Sequence, residues 1–180
     1  MELYKGRPEG GRERQERELR VYDLLDKLKI QYVTADHEEA HTMGDCLEID
    51  RALGTQMCKN LFLCNRQKTK FYLLAMPGNK VFKTKELSSQ IGSARLSFGS
   101  GEDMEKYLDI HPGAVSILGL MNDRENQVQL LVDEDVLKEE EIGCHPCVCT
   151  SSLKLKTGDV FGTFLEAVHH AYRTVHLTGE

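Results

Sequence analysis

A glycine-led loop between two apolar segments is the part of this sequence best suited to chemistry. From Asp109 to Val132 the chain reads DIHPGAVSILGLMNDRENQVQLLV, in which a His-Pro-Gly bend precedes an apolar run that Gly119 closes. Backbone N–H groups in such a loop can bind a ligand oxygen as it gains negative charge. Ser97 and Ser116 lack the Gly-x-Ser-x-Gly setting of an activated serine. The sequence therefore predicts chemistry carried out by the main chain and by water.

Histidine and lysine side chains offer a second set of candidates. His37, His111 and His145 lie in predicted loops, where histidines act as acids or bases, although a structural role stays open for each. Lys59 stands beside Asn60 at the start of an apolar run. Its ammonium group either extends to the surface or holds an anion at the mouth of a sheet, and the sequence alone leaves both open.

The cysteine-rich segment Cys144-His145-Pro146-Cys147-Val148-Cys149 is the strongest metal signal. A structural zinc site needs four ligands, usually from two separated pairs, and the other dense group, His169-His170 with His176, falls on a predicted helix and its tail. A redox Cys-x-x-Cys pair would open a helix after a strand, whereas Pro146 favours a loop. We expect ordinary small buried residues here, with no metal and no cofactor.

Composition limits the class of protein. The 180 residues, 40% of them apolar, suit one core of normal size. No apolar run approaches the roughly 20 residues of a membrane span, and the amino-terminal residues lack the apolar stretch of a secretory signal. We therefore expect a cytoplasmic protein with reduced thiols and no membrane partner. The net charge of −6 argues against a DNA-coating protein, but a small basic patch could still hold one end of an RNA.

The first third of the chain predicts a tail and two helices. Residues 1–15 are polar and rich in glycine, which predicts a flexible tail before a domain that spans residues 16–177. Apolar residues at helical spacing predict a surface helix over Glu16–Ile30, with Glu18 on its polar face. An extended piece over Gln31–Thr34 and a helix over Asp45–Leu53, ended by Gly54, complete this part.

The remaining elements are read in the same way from periodicity and turn residues. The predicted elements are a hairpin of Lys59–Cys64 and Lys70–Met76, helices over Lys85–Ile91, Ser100–Leu108 and Gly158–Tyr172, and strands over Val115–Leu120 and Val128–Val132. Strands outnumber crossover helices. The sequence therefore predicts a single α+β domain with a mixed, largely antiparallel sheet surrounded by helices.

These pieces, in this order, resemble the YbaK/ProX family of trans-acting aminoacyl-tRNA deacylases of the ProXp-ala type, which also occurs as the editing insertion of bacterial prolyl-tRNA synthetases. The resemblance runs from about Glu16 to Leu177. The segments that carry it are Asp36-His37, Lys59 to Leu63, Gly92 to Gly99, Pro112 to Ser116 with Asn122-Asp123, and His145-Pro146.

The resemblance implies hydrolysis of the ester that joins a wrong amino acid, typically alanine, to the 3′ end of proline tRNA. A synthetase pocket made for proline excludes a smaller residue weakly, since a missing methylene changes binding by only about 1–3 kcal/mol. A second site must then remove the error. The implied substrate is an aminoacyl-tRNA held by its acceptor end, and prolyl-tRNA synthetase or the elongation machinery is a further possible partner.

The resemblance also implies roles for individual residues. Lys59 would hold the phosphate near the terminal adenosine, and Asn60 would help to position that end. The loop Gly113-Ala114-Val115-Ser116 would supply backbone N–H donors to the ester carbonyl as it becomes an oxyanion. The nucleophile would be water, oriented by the ribose hydroxyl of the substrate, so no Ser–His pair is needed.

His145 would line the amino-acid pocket, and the loop from Asp36 to Thr42, with His37, would close over it. The chain departs from the family pattern at Ile117, which stands where the family often has proline, and at Cys149 and Ser152 after the His-Pro pair. A non-catalytic module that binds tRNA or a synthetase through the same fold is the alternative reading, and a zinc or redox protein built on the cysteines is a third.

Overall fold

The computed structural model describes residues 1–179, except for the side chain of Met43. The strands in chain order are β1 Glu2–Lys5, β2 Tyr32–Asp36, β3 Lys59–Cys64, β4 Phe71–Met76, β5 Ser97–Phe98, β6 Val128–Asp133, β7 Glu141–Cys144, β8 Ser151–Lys156 and β9 Tyr172–Val175. The α-helices are α1 Glu16–Lys27, α2 Met43–Leu53, α3 Thr84–Ile91, α4 Gly101–Leu108, α5 Glu134–Lys138 and α6 Leu165–Ala167.

The strands form two sheets. The four-stranded sheet has the order β1-β2-β8-β7 and is antiparallel throughout, while the five-stranded sheet has the order β5-β3-β4-β6-β9. In the five-stranded sheet β3 pairs antiparallel with β4 and β5, and β6 pairs parallel with β4 and β9. The predicted α+β class and largely antiparallel pairing are confirmed. The division into two sheets, instead of one, follows from the distant pairing of β2 with β8.

The five-stranded sheet is buried on both faces. One face packs toward the four-stranded sheet through a large core that includes Phe62, Leu73 and Leu153. The other face packs toward α3 through a smaller core that includes Leu63 and Leu87. No helix within residues 1–179 has the length and apolar character needed to cross a bilayer.

Turn residues set the predicted element ends correctly. α2 and α3 end at Gly54 and Gly92, whose φ angles of 71° and 66° are left-handed, and α4 begins after Ser100, which accepts the Asp103 N–H. The β3–β4 hairpin is also confirmed.

One predicted element is wrong and another is too long. Residues 115–120 do not form a strand, because Ser116 accepts the Leu118 N–H and starts a 3₁₀ helix over Ile117–Asn122. The helix predicted over residues 158–172 is present but contains a π-helical segment, Asp159–Phe164, and ends with the short α6 at Ala167. His169 then adopts a φ of 60°, which ends the helix, and Tyr172–Val175 pairs with β6 as β9.

The predicted flexible tail is also corrected, because residues 1–15 pack against the domain. β1 pairs with β2, and Arg14 donates to Asp36 Oδ2 at 2.5 Å and to Glu18 Oε2 at 2.8 Å. Glu18 has no solvent exposure, although the sequence places it on the polar face of its helix. A carboxylate can be buried there because Arg12, Arg14 and the hydroxyl of Tyr22 surround it.

Candidate active site

Asn60 holds the glycine-led loop against the five-stranded sheet. Its Oδ1 accepts the N–H of Ile117 at 2.8 Å, and its Nδ2 donates to the carbonyl of Cys58 at 3.2 Å. A proline at position 117 would have no N–H to donate. The departure from the family pattern at Ile117 therefore creates a direct bond between β3 and the loop, and it uses the Asn60 carbonyl oxygen to make it.

Removing this bond should destabilise the fold. In an Asn60→Ala variant the N–H of the buried Ile117 loses its partner, which we expect to cost about 1–3 kcal/mol in the free energy of unfolding. Urea denaturation measures the change. Asn79→Ala, in an exposed turn, is the matched control and should lie near wild type. Equal stability of the two variants would show that the Asn60–Ile117 bond contributes nothing.

The loop presents free backbone donors. Gly113 is exposed and has a φ of 97°, a left-handed conformation that favours glycine. The Ala114 N–H donates to the carbonyl of His111 at 3.2 Å, so in this conformation it is not free for a ligand. The N–H groups of Gly113, Val115 and Ser116 have no acceptor within residues 1–179, but Ser116 is fully buried. The amides of the exposed Gly113 and the half-buried Val115 are therefore available to a ligand in this conformation.

The buried Ser116 connects this loop to the segment that carries His145. Its hydroxyl lies in hydrogen-bonding reach of the thiol of Cys144, and burial raises the pKa of that thiol well above its ordinary value. Burial also raises the pKa values of Cys58 and Cys147 to about 12. These thiols stay protonated and unreactive at neutral pH, as packing residues do. Residues 1–179 contain no group of three His, Cys, Asp or Glu side chains placed to hold a metal ion.

Ser152 joins the two predicted pocket histidines. His37 Nδ1 donates to the carbonyl of Glu38 at 2.7 Å, so in the neutral ring Nε2 accepts from the Ser152 hydroxyl at 2.8 Å. The same hydroxyl oxygen lies 3.4 Å from His145 Nδ1, which donates to the carbonyl of Ser151 at 2.9 Å. His145 Nε2 is left as an acceptor without a partner in the described part of the chain. It can receive a hydrogen bond from a ligand.

His145 is held in its neutral form. Burial lowers its pKa below the ordinary 6.5, and the neighbouring His37 lowers it further. The unfolded chain therefore takes up a proton at a higher pH than the folded chain does, so the folded state loses stability as pH falls from 6.5 through the lowered pKa.

This pH dependence should be reduced when His145 is replaced. Between about pH 7.5 and pH 5.5, His145→Gln is expected to lose less stability than wild type in urea denaturation, because the titrating ring is gone. The exposed His111 provides the control variant, His111→Gln, which should keep the wild-type dependence. If His145→Gln lost stability as steeply as wild type, the neutral state of His145 would not contribute to it.

Lys59 faces the opposite side of the five-stranded sheet from Asn60. Side chains alternate along a strand, and Leu61 and Leu63 belong to the small core near α3 whereas Phe62 belongs to the large one. Lys59 Nζ donates to the carbonyl of Lys80 at 2.5 Å. On the edge of β3 away from β4, β5 pairs with Leu63 and Cys64, and Cys58, directly before the strand, donates to the carbonyl of Gly143 at 2.8 Å. Within residues 1–179 no strand pairs with the short stretch of this edge between them, which includes Lys59 and Asn60.

Lys80 was missed by the sequence reasoning. Its Nζ lies 2.8 Å from Oδ2 of the fully buried Asp133 and 2.7 Å from Asp135, which fixes the carbonyl that Lys59 contacts. The signal in the sequence was Asp133, the last residue of the apolar run VQLLVD. A carboxylate at the end of a buried strand needs a cationic partner, which could have predicted a buried ion pair.

Two other predicted residues lie outside this set of contacts. The Thr42 hydroxyl accepts the Asp45 N–H at 3.1 Å and caps α2, so it fixes the end of the loop that begins after Asp36. His111 is exposed, 3.8 Å from Glu105.

This chain is similar to proteins that edit aminoacyl-tRNA. Residues 37–162 match the family model described as the aminoacyl-tRNA editing domain. The prolyl-tRNA editing protein ProX of Acetoanaerobium sticklandii is 33% identical over 126 residues, which are 70% of this chain and 77% of that protein. Prolyl-tRNA synthetase associated domain-containing protein 1 of Xenopus laevis is 29% identical over 156 residues, 84% of this chain and 92% of that protein.

Among solved structures, the fold is similar to a crystal structure described as that of a candidate trans-editing enzyme for prolyl-tRNA synthetase. The TM-score is 0.68 at 14% identity, over 92% of this chain and 98% of the other. At this identity the likeness shows the shared fold.

Proposed function

The chain belongs to the aminoacyl-tRNA editing domain family, and from this premise we propose that it is a trans-acting deacylase of mischarged proline tRNA, with Ala-tRNA(Pro) as its substrate. The membership confirms the family resemblance carried by Lys59-Asn60, the glycine-led loop and His145-Pro146. The ProX protein, 33% identical, is named for prolyl-tRNA editing, which supports extending that activity to this chain.

The fixed position of the glycine-led loop is the main support for this proposal. The Asn60–Ile117 bond holds a loop in which the amides of Gly113 and Val115 are free, and Ser116 of that loop contacts the segment of His145. Donors fixed before the reaction stabilise an oxyanion without reorganising, and this contribution is often the largest in ester hydrolysis. The buried thiols that border the loop remain protonated. The arrangement therefore suits attack by water better than attack by a side chain.

The proposed roles follow from these positions. The amides of Gly113 and Val115 bind the ester carbonyl as it becomes an oxyanion, and the Ala114 N–H contributes once it leaves the His111 carbonyl. A water oriented by the ribose hydroxyl attacks the ester carbonyl carbon. The C–O bond to the ribose then breaks, the ribose oxygen leaves with a proton from the attacking water, and the amino acid is released with a free carboxylate. His145 Nε2 accepts from the α-ammonium group of the amino acid, and His37 closes the pocket over it. Lys59 anchors a phosphate of the terminal nucleotide beside the unpaired stretch of the β3 edge.

The experiment is hydrolysis of Ala-tRNA(Pro), with Pro-tRNA(Pro) and Ala-tRNA(Ala) as comparisons. We expect release of alanine from tRNA(Pro) at least about a hundredfold faster than release of proline, since proline must be excluded from the small pocket by its ring. Equal rates for alanine and proline would reject the size-based selectivity. No release from any of the three substrates would reject the enzymatic proposal.

A non-catalytic module that binds tRNA or prolyl-tRNA synthetase is the second candidate function. The bond from the Ala114 N–H to the His111 carbonyl favours it, because that bond leaves the oxyanion loop with one donor fewer. This candidate predicts stable RNA association without turnover.

A further inference from the structure

An aromatic pair lies on the surface near the amino-terminal end of α3, apart from the contacts described above. Phe98 is 63% exposed, and its ring lies 6.0 Å from that of the half-buried Phe82, in an edge-to-face arrangement. Edge-to-face contact leaves the face of at least one ring free. The exposed ring face of Phe98 is therefore open to stacking by a planar group.

The backbone fixes Phe98 in this position. The two-residue strand β5 pairs with the end of β3, and the next residue, Gly99, donates its N–H to the carbonyl of Phe62 at 2.9 Å. A Cβ at Gly99 would lie 2.3 Å from the ring of Phe62, so only glycine permits this close approach. The ring of Phe98 is thus held outward by a rigid segment.

Three cationic residues lie within three positions of the pair along the chain. Lys83 follows Phe82 directly, and Lys85 and Arg95 line a groove of about 540 Å³ together with Ser88, Ser89 and Ser93. Lys83, Lys85 and Arg95 form no ion pair with any residue from 1 to 179. These three cations are therefore available to an anionic partner.

This surface shares a sheet face with Lys59. Directly paired residues point to the same face, so Phe98 lies on the face of its partner Leu63, which is also the face of Lys59. Lys59 and Leu63 are four residues apart, or about 13 Å along the strand. About four stacked nucleotides span that distance, at about 3.4 Å each.

We propose that Phe82, Lys83, Lys85, Arg95 and Phe98, the aromatic–basic surface, bind the unpaired nucleotides at the 3′ end of the tRNA. A base stacks on the free face of Phe98, and the cations contact the backbone phosphates. Stacking requires a base outside a duplex, which distinguishes a single-stranded end from the paired stem. The identity of this RNA rests on the proposed function.

The test is binding of an uncharged RNA hairpin with a four-nucleotide single-stranded 3′ end, compared with the same hairpin ended blunt. Fluorescence anisotropy gives both Kd values. Wild type should prefer the hairpin with the overhang. Phe98→Ala should weaken that binding about tenfold and leave blunt-hairpin binding unchanged, whereas Phe98→Tyr should stay within about twofold of wild type.

Tyr172→Ala is the matched control, because Tyr172 is an exposed aromatic residue at the opposite edge of the same sheet. It should bind as wild type does. If Phe98→Ala bound the overhang hairpin as tightly as wild type does, the proposal would be overturned. The aromatic pair would then be assigned to a protein partner. The hairpin carries no ester, so this test does not depend on hydrolysis. If the chain proved inactive but its preference for the overhang required Phe98, the RNA-binding proposal would stand and only the proposed deacylase activity would be rejected.

Discussion

Hydrolysis of Ala-tRNA(Pro) is expected to fall about a hundredfold in a Lys59→Ala variant. The ammonium group sits beside the unpaired stretch of the β3 edge, held by the Lys80 carbonyl, and Lys80 is fixed in turn by the buried Asp133. A positioned charge that meets a phosphate contributes more than a mobile surface lysine, because its orientation is already set. Single-turnover rates with saturating enzyme measure the effect on the chemical step.

Two variants make this result specific. Lys59→Arg keeps the charge but changes its shape, so partial activity is expected. Lys70→Ala removes an exposed lysine near the turn of the same hairpin, and it should react at the wild-type rate. A Lys59→Ala variant that is folded and as fast as wild type would contradict the anchoring role.

An Arg14→Met variant is expected to lose about 3 kcal/mol of stability. The Arg14 side chain is only 7% exposed, and it bonds to Asp36 and to the fully buried Glu18. Burial alone would raise the pKa of Asp36, but the hydrogen bonds from Arg14 and Ser151 outweigh it and hold that pKa below its ordinary value. Without the arginine, the carboxylates of Asp36 and Glu18 have too few hydrogen-bond partners in a site that excludes water. This lowers the free energy of unfolding.

The control is Arg7→Met, since Arg7 pairs with Asp23 at the surface, where the two side chains are 41% and 64% exposed. Exposed pairs contribute little, so we expect a change within about 0.5 kcal/mol in urea denaturation. If Arg14→Met were as stable as Arg7→Met, the bonds of Arg14 to Asp36 and Glu18 would contribute no more than an exposed ion pair does.

The sequence predicted those parts of the fold that local rules decide. Gly54, Gly92 and Ser100 mark element ends because the required backbone angle or cap belongs to the residue itself. The hairpin of β3 and β4 was equally predictable, since its two strands are neighbours in the chain. Asn60, the loop from Gly113 and His145 were identified by resemblance. In the structure Asn60 bonds to Ile117, directly after the loop, and Ser116 contacts Cys144, directly before His145.

The sequence could not predict features that depend on distant partners. Glu18 lies three residues before the buried Val21 and four before the buried Tyr22, so it belongs to the apolar stripe of α1. A glutamate is nevertheless predicted to face solvent, because its arginine partners cannot be identified from the sequence. Residues 115–120 have the composition of a strand, but the N–H of Ile117 bonds to Asn60, 57 positions away in the chain, and a 3₁₀ helix forms. The Ser152 hydroxyl can bond to His37 only when β8 lies beside β2.

The pairing of β2 with β8 has a consequence for the order in which the molecule is assembled. Asp36 and Ser151, bonded to each other, are separated by 115 positions in the chain. During synthesis the β3–β4 hairpin can close as soon as Met76 has emerged, whereas His37 has no Ser152 to bond until β8 exists. Closing so large a loop is slow compared with forming a hairpin. The histidine pocket is therefore completed late, and a nascent chain that stops before β8 holds the loop amides without the pocket beside them.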